Sequence, residues 1–466
     1  MKETAIATKV KKRAPLDKNV DMLSGKILPN FVKFTLPIIL TGFLQQFYNT
    51  ADSIVVGNFG GKEALAAVGA TTQIISVLVA VFINIFIGTN ILVARSKGAG
   101  DDDTLRKVVS TTYIMSLVMG IVLMIAGQLL ARPLLELTKC PENIIDSSES
   151  YLRIYFLGVP ASMFFNFGAS VLRNSGDSRS PFIYLSISGV ANVVLNIVFV
   201  LTFGNAVVSV ALATVVSMYM SAIQFFIHLV RMKGACKLYP FKFKFDFQIF
   251  IKTIRYGIPS VISAASFSLT NVIIAPTINS YGDVGISGST AAGSIESFLY
   301  AITSSFSAAT SAFMGQNIGA GNKERTVKVL KTGYAIAVCS MAVFTVLIIG
   351  LGRELLYLFI PGETEAIEFG RYRMIFIMSA SVMNGIMNIN AGAIQSYGYT
   401  TLQMLSNLIG VCLFRIGWMT LVYPQSPSPT MLWICYPVSW TLTALVLLAI
   451  VIVMTKKYLK GKNFRI

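Results

Sequence analysis

The chain has 466 residues, of which 54% are hydrophobic and only 13% charged, with a mean hydropathy of +0.68. Soluble domains carry about 25% charged residues, so this composition excludes an ordinary soluble enzyme or binding module. A net charge of +17 suggests nucleic acid at first sight, but the basic residues gather between apolar runs, as the positive-inside rule requires of a membrane protein.

Residues 1–30 are polar and Lys-rich and read as a cytoplasmic N-terminal tail, with no cleavable signal peptide. Apolar runs long enough for helical spans then recur to the end of the chain, whereas barrel strands would alternate over about ten residues. The expected fold is all-α and polytopic. Six spans fall near 31–56, 63–93, 105–130, 150–172, 181–203 and 207–230, forming an N-terminal bundle over 31–230. A basic, aromatic cytoplasmic linker occupies 231–247. Six more spans fall near 248–279, 285–315, 327–351, 366–394, 401–423 and 430–454, forming a C-terminal bundle over 248–454, and 455–466 is a basic cytoplasmic tail. With both termini inside, 30 of the 38 Lys and Arg lie on the cytoplasmic side, 7 lie outside and Arg415 falls within a span. That asymmetry supports twelve transmembrane helices.

The two halves repeat at an offset of 221–222 residues. Pro37 and Asn49 match Pro259 and Asn271, Gly98-Ala99-Gly100 matches Gly319-Ala320-Gly321, and Gly176 matches Gly398. Because six is even, both copies start on the same side, which makes a parallel repeat. Transporters built this way bind substrate between two bundles. The matched glycines suit turns that need positive φ. Pro37 and Pro259 each remove a helical hydrogen bond and are expected to kink or hinge their spans.

One carboxylate, Asp52, is set into the first span, within the run Gln45-Gln46-Phe47-Tyr48-Asn49-Thr50-Ala51-Asp52-Ser53, which has no Lys or Arg. An ionisable group in a span costs about 2.5–3.5 kcal/mol on insertion scales and usually marks an ion or substrate path. Lying toward the end of its span, Asp52 also admits a plain interfacial reading. Glu296, among Ser294, Ser297 and small residues of the eighth span, is a second such acid, with either a cavity role or a structural hydrogen bond. Arg415 reads as structural, with Glu296 as one available partner. Arg173 and Asp177 flank the inner end of the fourth span and read as a cap or gate. Asp101-Asp102-Asp103 reads as solvated helix capping. Five cysteines without paired spacing predict neither disulfides nor a metal site.

Several ordered motifs carry a resemblance to a known family. They are Tyr48-Asn49-Thr50-Ala51-Asp52, Gly98-Ala99-Gly100-Asp101, Leu172-Arg173-Asn174-Ser175-Gly176-Asp177, Asn192-Val193-Val194-Leu195-Asn196, Ala211-Leu212-Ala213-Thr214, and Gly315-Gln316-Asn317-Ile318-Gly319-Ala320-Gly321-Asn322. Over about residues 30–455 the chain resembles the multidrug and toxic-compound extrusion (MATE) family, in its DinF-like bacterial branch. The resemblance implies a V-shaped pair of six-helix bundles that export organic, often cationic, compounds in exchange for protons or sodium. It also implies a cation site at Asp52, Asn192, Asn196 and Thr214. Asn196 stands where many members have a second Asp, and the carboxylates that some members place in the seventh and tenth helices are missing. Gln45, Asn49, Asn271 and Glu296 are the candidate substrate-cavity residues.

The leading expectation is a secondary-active multidrug exporter in a bacterial plasma membrane. It is a monomer that binds small organic compounds and no nucleic acid, and it has no cofactor beyond a sodium ion at Asp52. The alternatives are a lipid-linked precursor flippase, which favours a cationic cavity, and a membrane-embedded lipid transferase, which needs clustered acids. No Walker motif is present, so ATP is not the direct energy source.

Overall fold

A computed structural model describes residues 19–240 and 244–461. Its described residues are almost all helical. The first two spans are the arms of Ile27–Ala99, which turns at the single residue Gly61 (φ 74°, ψ −169°), a backbone conformation open to glycine. Spans three to six are Asp102–Leu137, Glu142–Ser175, Arg179–Phe203 and Ala206–Arg231. The second half begins with Phe247–Asn279, Gly282–Gly319 and Lys323–Gly350. A tenth span follows as Thr364–Ser379 and Ser381–Ser396, bent by 47° where they meet, then Thr400–Gln425 and Pro429–Leu459. By length and composition alone, nine of these helices qualify as spans, and the bent pair makes ten. The count reaches twelve because Ile27–Ala99 holds two arms and because Gly282–Gly319, rich in Ser and Thr, is long enough to cross but more polar. A short helix, Gly352–Phe359, joins the ninth and tenth spans and has no counterpart in the sequence reading. Neither Pro37 nor Pro259 interrupts its helix.

The internal repeat is built into the backbone. Gly100 and Gly321 share the left-handed conformation, with φ 70° and 71°. The next residue caps the following helix in both copies: Asp101 Oδ1 accepts from Thr104 N and Asn322 Oδ1 from Arg325 N, each at 3.0 Å. Gly176 and Gly398 are a second matched pair with positive φ, 109° and 78°.

The two bundles cross over at the end that carries these turns. Phe31 and Phe34 of the first span pack on Phe313 of the eighth, with ring centroids 5.4 and 5.6 Å apart. The second span meets the seventh in return. A Cβ on Gly88 would fall 2.2 Å from Thr253 O, and one on Gly257 would fall 2.6 Å from Ile85 O, so only glycine permits these approaches. The closure is also pseudo-symmetric at the level of single hydrogen bonds. Arg95 Nη2 donates to Ser396 O at 2.6 Å, and Gln316 Nε2, its repeat equivalent, donates to Asn174 O at 2.8 Å. Gly98 and Gly319 let the two strips touch, since added Cβ atoms would lie 1.9 Å from Gln316 O and 2.2 Å from Arg95 O.

Both described ends of the chain sit at this closed, basic end. Asn317 Nδ2 donates to Met22 O at 3.0 Å and Lys323 Nζ to Leu459 O at 3.3 Å. The connection between the halves docks there too, with Asp246 N donating to Thr111 Oγ1 at 3.0 Å and Lys107 3.3 Å from the Asp246 carboxylate. Many large apolar side chains elsewhere, such as Leu129, Leu201 and Val346, point outward, as a lipid-facing surface requires.

Candidate functional site

The first candidate site forms where the first, fifth and sixth spans meet. Asn192 and Asn196 are four residues apart, so they share one face of the fifth helix. Asn196 Nδ2 donates to Asp52 Oδ1 at 2.6 Å, and Thr214 Oγ1 donates to Asp52 Oδ2 at 3.3 Å. Asn192 Nδ2 reaches Thr214 Oγ1 at 3.4 Å, and Asn196 Nδ2 also lies 3.4 Å from Asn192 Oδ1. All four residues named for a cation site thus meet in one cluster. Asp52 is half-buried, Asn192 and Asn196 are fully buried, and no Lys or Arg pairs with the acid among the described residues.

The oxygen chemistry of this cluster fits a hard monovalent cation or a shared proton. Asn196 Oδ1 is buried with no hydrogen-bond donor, and Asp52, Asn192 and Thr214 add oxygens beside it. Such an orphaned acceptor is satisfied by a bound cation or by the O–H of a protonated acid. Among the described residues, no group of three or more His, Cys, Asp and Glu gathers as a multidentate metal site.

Sequence reasoning missed the walls of this site. Tyr151 and Tyr155 of the fourth span lie close enough to feel the charge of Asp52. Tyr151 joins Val55, Val56, Val68, Val207 and Val210 in an apolar cluster around the site. Gly189 lets the first and fifth helices approach closely enough, since a Cβ there would lie 1.7 Å from Cζ of Tyr48. The Tyr48 hydroxyl in turn reaches the Leu185 and Ser186 carbonyls, each at 3.4 Å.

A second site is a cavity of about 650 Å³ between the bundles, well within the 300–1,000 Å³ typical of small-molecule sites. Its walls come from both halves. Phe34, Phe86 and Met387 supply apolar surface, and Asn90, Asn174 and Asn388 are among many amides and hydroxyls. Its floor is the crossed closure of Arg95 and Gln316, through Asn174 and the neighbouring turns. Phe34 and Ile38 of the first span line it, while Asp52 lies fourteen residues further along the same helix. At 1.5 Å per residue that separation is roughly 21 Å, so the two sites are distinct but joined by one rigid element.

Several expected placements need correction. Gln45, Asn49 and Asn271 are exposed and do not line this cavity. Glu296 does not line it either. Its carboxylate is buried and held by Arg373, with Nε–Oε1 and Nη2–Oε2 both at 2.8 Å, while the guanidinium lies 4.9 Å from the Trp433 ring centroid. Arg373 is one of the seven basic residues that charge counting places outside, which left Arg415 as the partner considered for Glu296. Arg415 does not pair with Glu296. It is fully buried, bonded to Ser439 Oγ at 3.0 Å and stacked 3.9 Å from the Tyr436 ring centroid.

The cap expected of Arg173 and Asp177 is seen at Asp177 and not at Arg173. Asp177 caps the fifth helix, accepting from Arg179 N at 3.0 Å and Ser180 N at 2.9 Å. Arg173 instead lines the cavity, with no acidic partner among the described residues.

The MatE family model matches residues 37–198 and 259–419, one copy in each half of the repeat. Two relatives come from Bacillus subtilis (strain 168). The probable multidrug resistance protein YpnP is 27% identical over 398 residues, spanning 85% of this chain and 89% of that one. The probable multidrug resistance protein YoeA is 27% identical over 370 residues, spanning 77% and 79%. A solved MOP superfamily transporter from Pyrococcus furiosus has the same fold, with a TM-score of 0.89 at 21% identity, covering 96% of this chain and 99% of that one. Matched in both halves and along most of its length, the chain belongs to the MatE family of multi-pass membrane transporters.

Proposed function

We propose that this protein is a secondary-active exporter that moves small organic compounds out of a bacterial cell in exchange for protons or sodium ions, by alternating access. The observation that carries the reading is the unneutralised Asp52, held by Asn196 and Thr214 on a helix whose other end lines the central cavity. A carboxylate inside a span is costly unless it serves a path, and here it sits among oxygens that suit a cation. The names of the relatives from Bacillus subtilis support drugs or similar compounds as the cargo. The charge pattern supports placing the closed, basic end and both termini in the cytoplasm, so that the cavity faces outward.

In this reading Asp52 loses and regains its charge as the site is exposed to each side. Its protonated or cation-loaded form favours one arrangement of the first span, and its bare form favours the other. A sodium ion, when bound, supplies a positive charge at Asp52, held by the oxygens of Asn192, Asn196 and Thr214. Asn at 196 leaves the site with one carboxylate, which weakens sodium binding and favours one-proton coupling. One charge moved through 100 mV supplies about 2.3 kcal/mol, enough for a modest gradient. The lipid-transferase alternative loses its only acidic cluster, because Asp101 is occupied in capping the third helix.

The test is transport in proteoliposomes holding purified protein, with imposed pH or sodium gradients and a panel of fluorescent organic compounds. Gradient-dependent accumulation of at least one compound is expected, stronger with a pH gradient. No response to either gradient for any compound would remove the antiporter reading.

A further inference from the structure

Among the described residues, Arg173 is the only charged side chain lining the central cavity, and no Asp or Glu lines it. Its guanidinium makes no hydrogen bond or ion pair among the described residues, and its Nε is fully buried. Arg173 as a whole is half-buried, but a charge partly withdrawn from water without a partner is still costly, and the usual solution is a counter-ion. Among the described residues none is supplied. Asp177, the nearest acid in sequence, is committed to Arg179 N, Ser180 N and the Ser180 hydroxyl.

The surroundings repeat the pattern. Asn90 Oδ1, another acceptor in the wall, already takes hydrogen bonds from Ser170 Oγ and Asn174 Nδ2, at 2.5 and 2.6 Å. Across the cavity, the hydroxyls of Ser260 and Ser311 line the wall and are buried without partners. Behind Phe267, which also lines the wall, lies a second guanidinium, Arg415, 6.0 Å from that ring centroid. Among the described residues Arg415 has no carboxylate partner either, and its two terminal nitrogens are unbonded. The field in the cavity is therefore positive from both bundles.

We propose that the cavity takes a compound with an anionic oxygen group, a carboxylate or phosphate, on an apolar or aromatic body, with the acid seated on Arg173. Planar guanidinium donors match such groups in a two-pronged, charge-assisted geometry. Phe34, Phe86, Phe267 and Met387 provide surface for the body. A cationic compound finds no carboxylate here and meets like charge instead. This proposal rests on reading the cavity as the substrate site of the exporter, and it departs from the expectation of mostly cationic cargo.

Binding to purified protein in detergent tests it without any gradient, so failure here is separable from failure of the transport reading. The probes are a fluorescent aromatic carboxylate, its methyl ester and its amine analogue. The acid is expected to bind at least tenfold tighter than the ester, and the amine weakest. Arg173→Gln is expected to bring the acid down to the affinity of the ester without changing the ester. Arg173→Lys, which keeps the charge, is expected to retain most of the preference, and it serves if the Gln variant fails to fold. A short-chain phosphatidic acid, run as a competitor beside the soluble carboxylate, distinguishes a membrane-borne acid from a free one. Stronger competition by either acid than by neutral diacylglycerol supports the site and names its source. Equal binding of acid and ester, tightest binding of the amine, or an unchanged preference in Arg173→Gln overturns the proposal.

Discussion

Replacing Gly98 by Ala probes the switch that the crossed closure implies. A Cβ at this position would lie 1.9 Å from Gln316 O and 2.6 Å from its carbonyl carbon. These are backbone atoms, which cannot swing aside like the tip of a side chain. Overpacking of this kind costs about 1–3 kcal/mol. In the proposed alternating-access cycle the contact exists only while the basic end is shut, so the cost falls on that state alone. The population should shift toward opening at that end by roughly 5–150-fold. Ala94, buried in the closure against Gly315, is the reporter. In a background without native cysteines, Ala94→Cys is labelled with an impermeant maleimide from the cytoplasmic face of inside-out vesicles. Labelling should accelerate in the Gly98→Ala protein and stay unchanged in Gly69→Ala, where an added Cβ meets nothing within 4 Å. An unchanged rate in well-folded Gly98→Ala protein would refute the idea that this contact holds one end of a two-state switch.

Other outcomes follow from the same packing. Gly189→Ala forces a methyl into the Tyr48 ring and should lower stability by about 1–3 kcal/mol; an unshifted thermal midpoint in detergent would contradict the close approach of the first and fifth helices. Glu296→Gln leaves Arg373 buried beside a neutral partner. Removing one member of such a pair costs about 3–5 kcal/mol, so the variant should unfold earlier while each folded molecule still couples transport to the gradient. Full stability with lost coupling would return Glu296 to the mechanism. Asn196→Asp puts a second carboxylate beside Asp52 and should make transport more sodium-dependent at fixed pH; flux measured against sodium concentration checks this, and an unaltered sodium response counts against a cation at this cluster.

Asn192, Asn196 and Thr214 were named through the family resemblance, and nothing local in the sequence joins them to Asp52. Asp52 itself was legible because its signal is local: a carboxylate in an apolar run stands out. The repeat was legible for the same reason, and its matched Gly-Ala-Gly turns proved to hold matching dihedral angles at Gly100 and Gly321. The cavity lining was not legible. Asn90, Asn174, Asn388 and Ser311 come from four different spans, and a single amide or hydroxyl in a helix carries little signal until packing makes them converge. Arg373 was misplaced because charge counting treats a basic residue near a helix end as interfacial, whereas its partner lies 77 residues away in sequence. Gly61 was read as part of a loop between two spans, yet one positive φ turns the chain without any loop.

The most direct test of Asp52 as the coupling group compares two activities of one variant, Asp52→Asn. The amide keeps the shape of the side chain and its contacts with Asn196 and Thr214 but cannot take up or release a proton. In proteoliposomes, exchange of labelled for unlabelled substrate at equal pH needs only binding and alternation, whereas uphill movement under a pH gradient also needs the titrating group. The account predicts that Asp52→Asn retains exchange within a few-fold of the parent and loses gradient-driven accumulation. Near-normal accumulation by the variant would contradict the account and leave Asp52 as an interfacial acid.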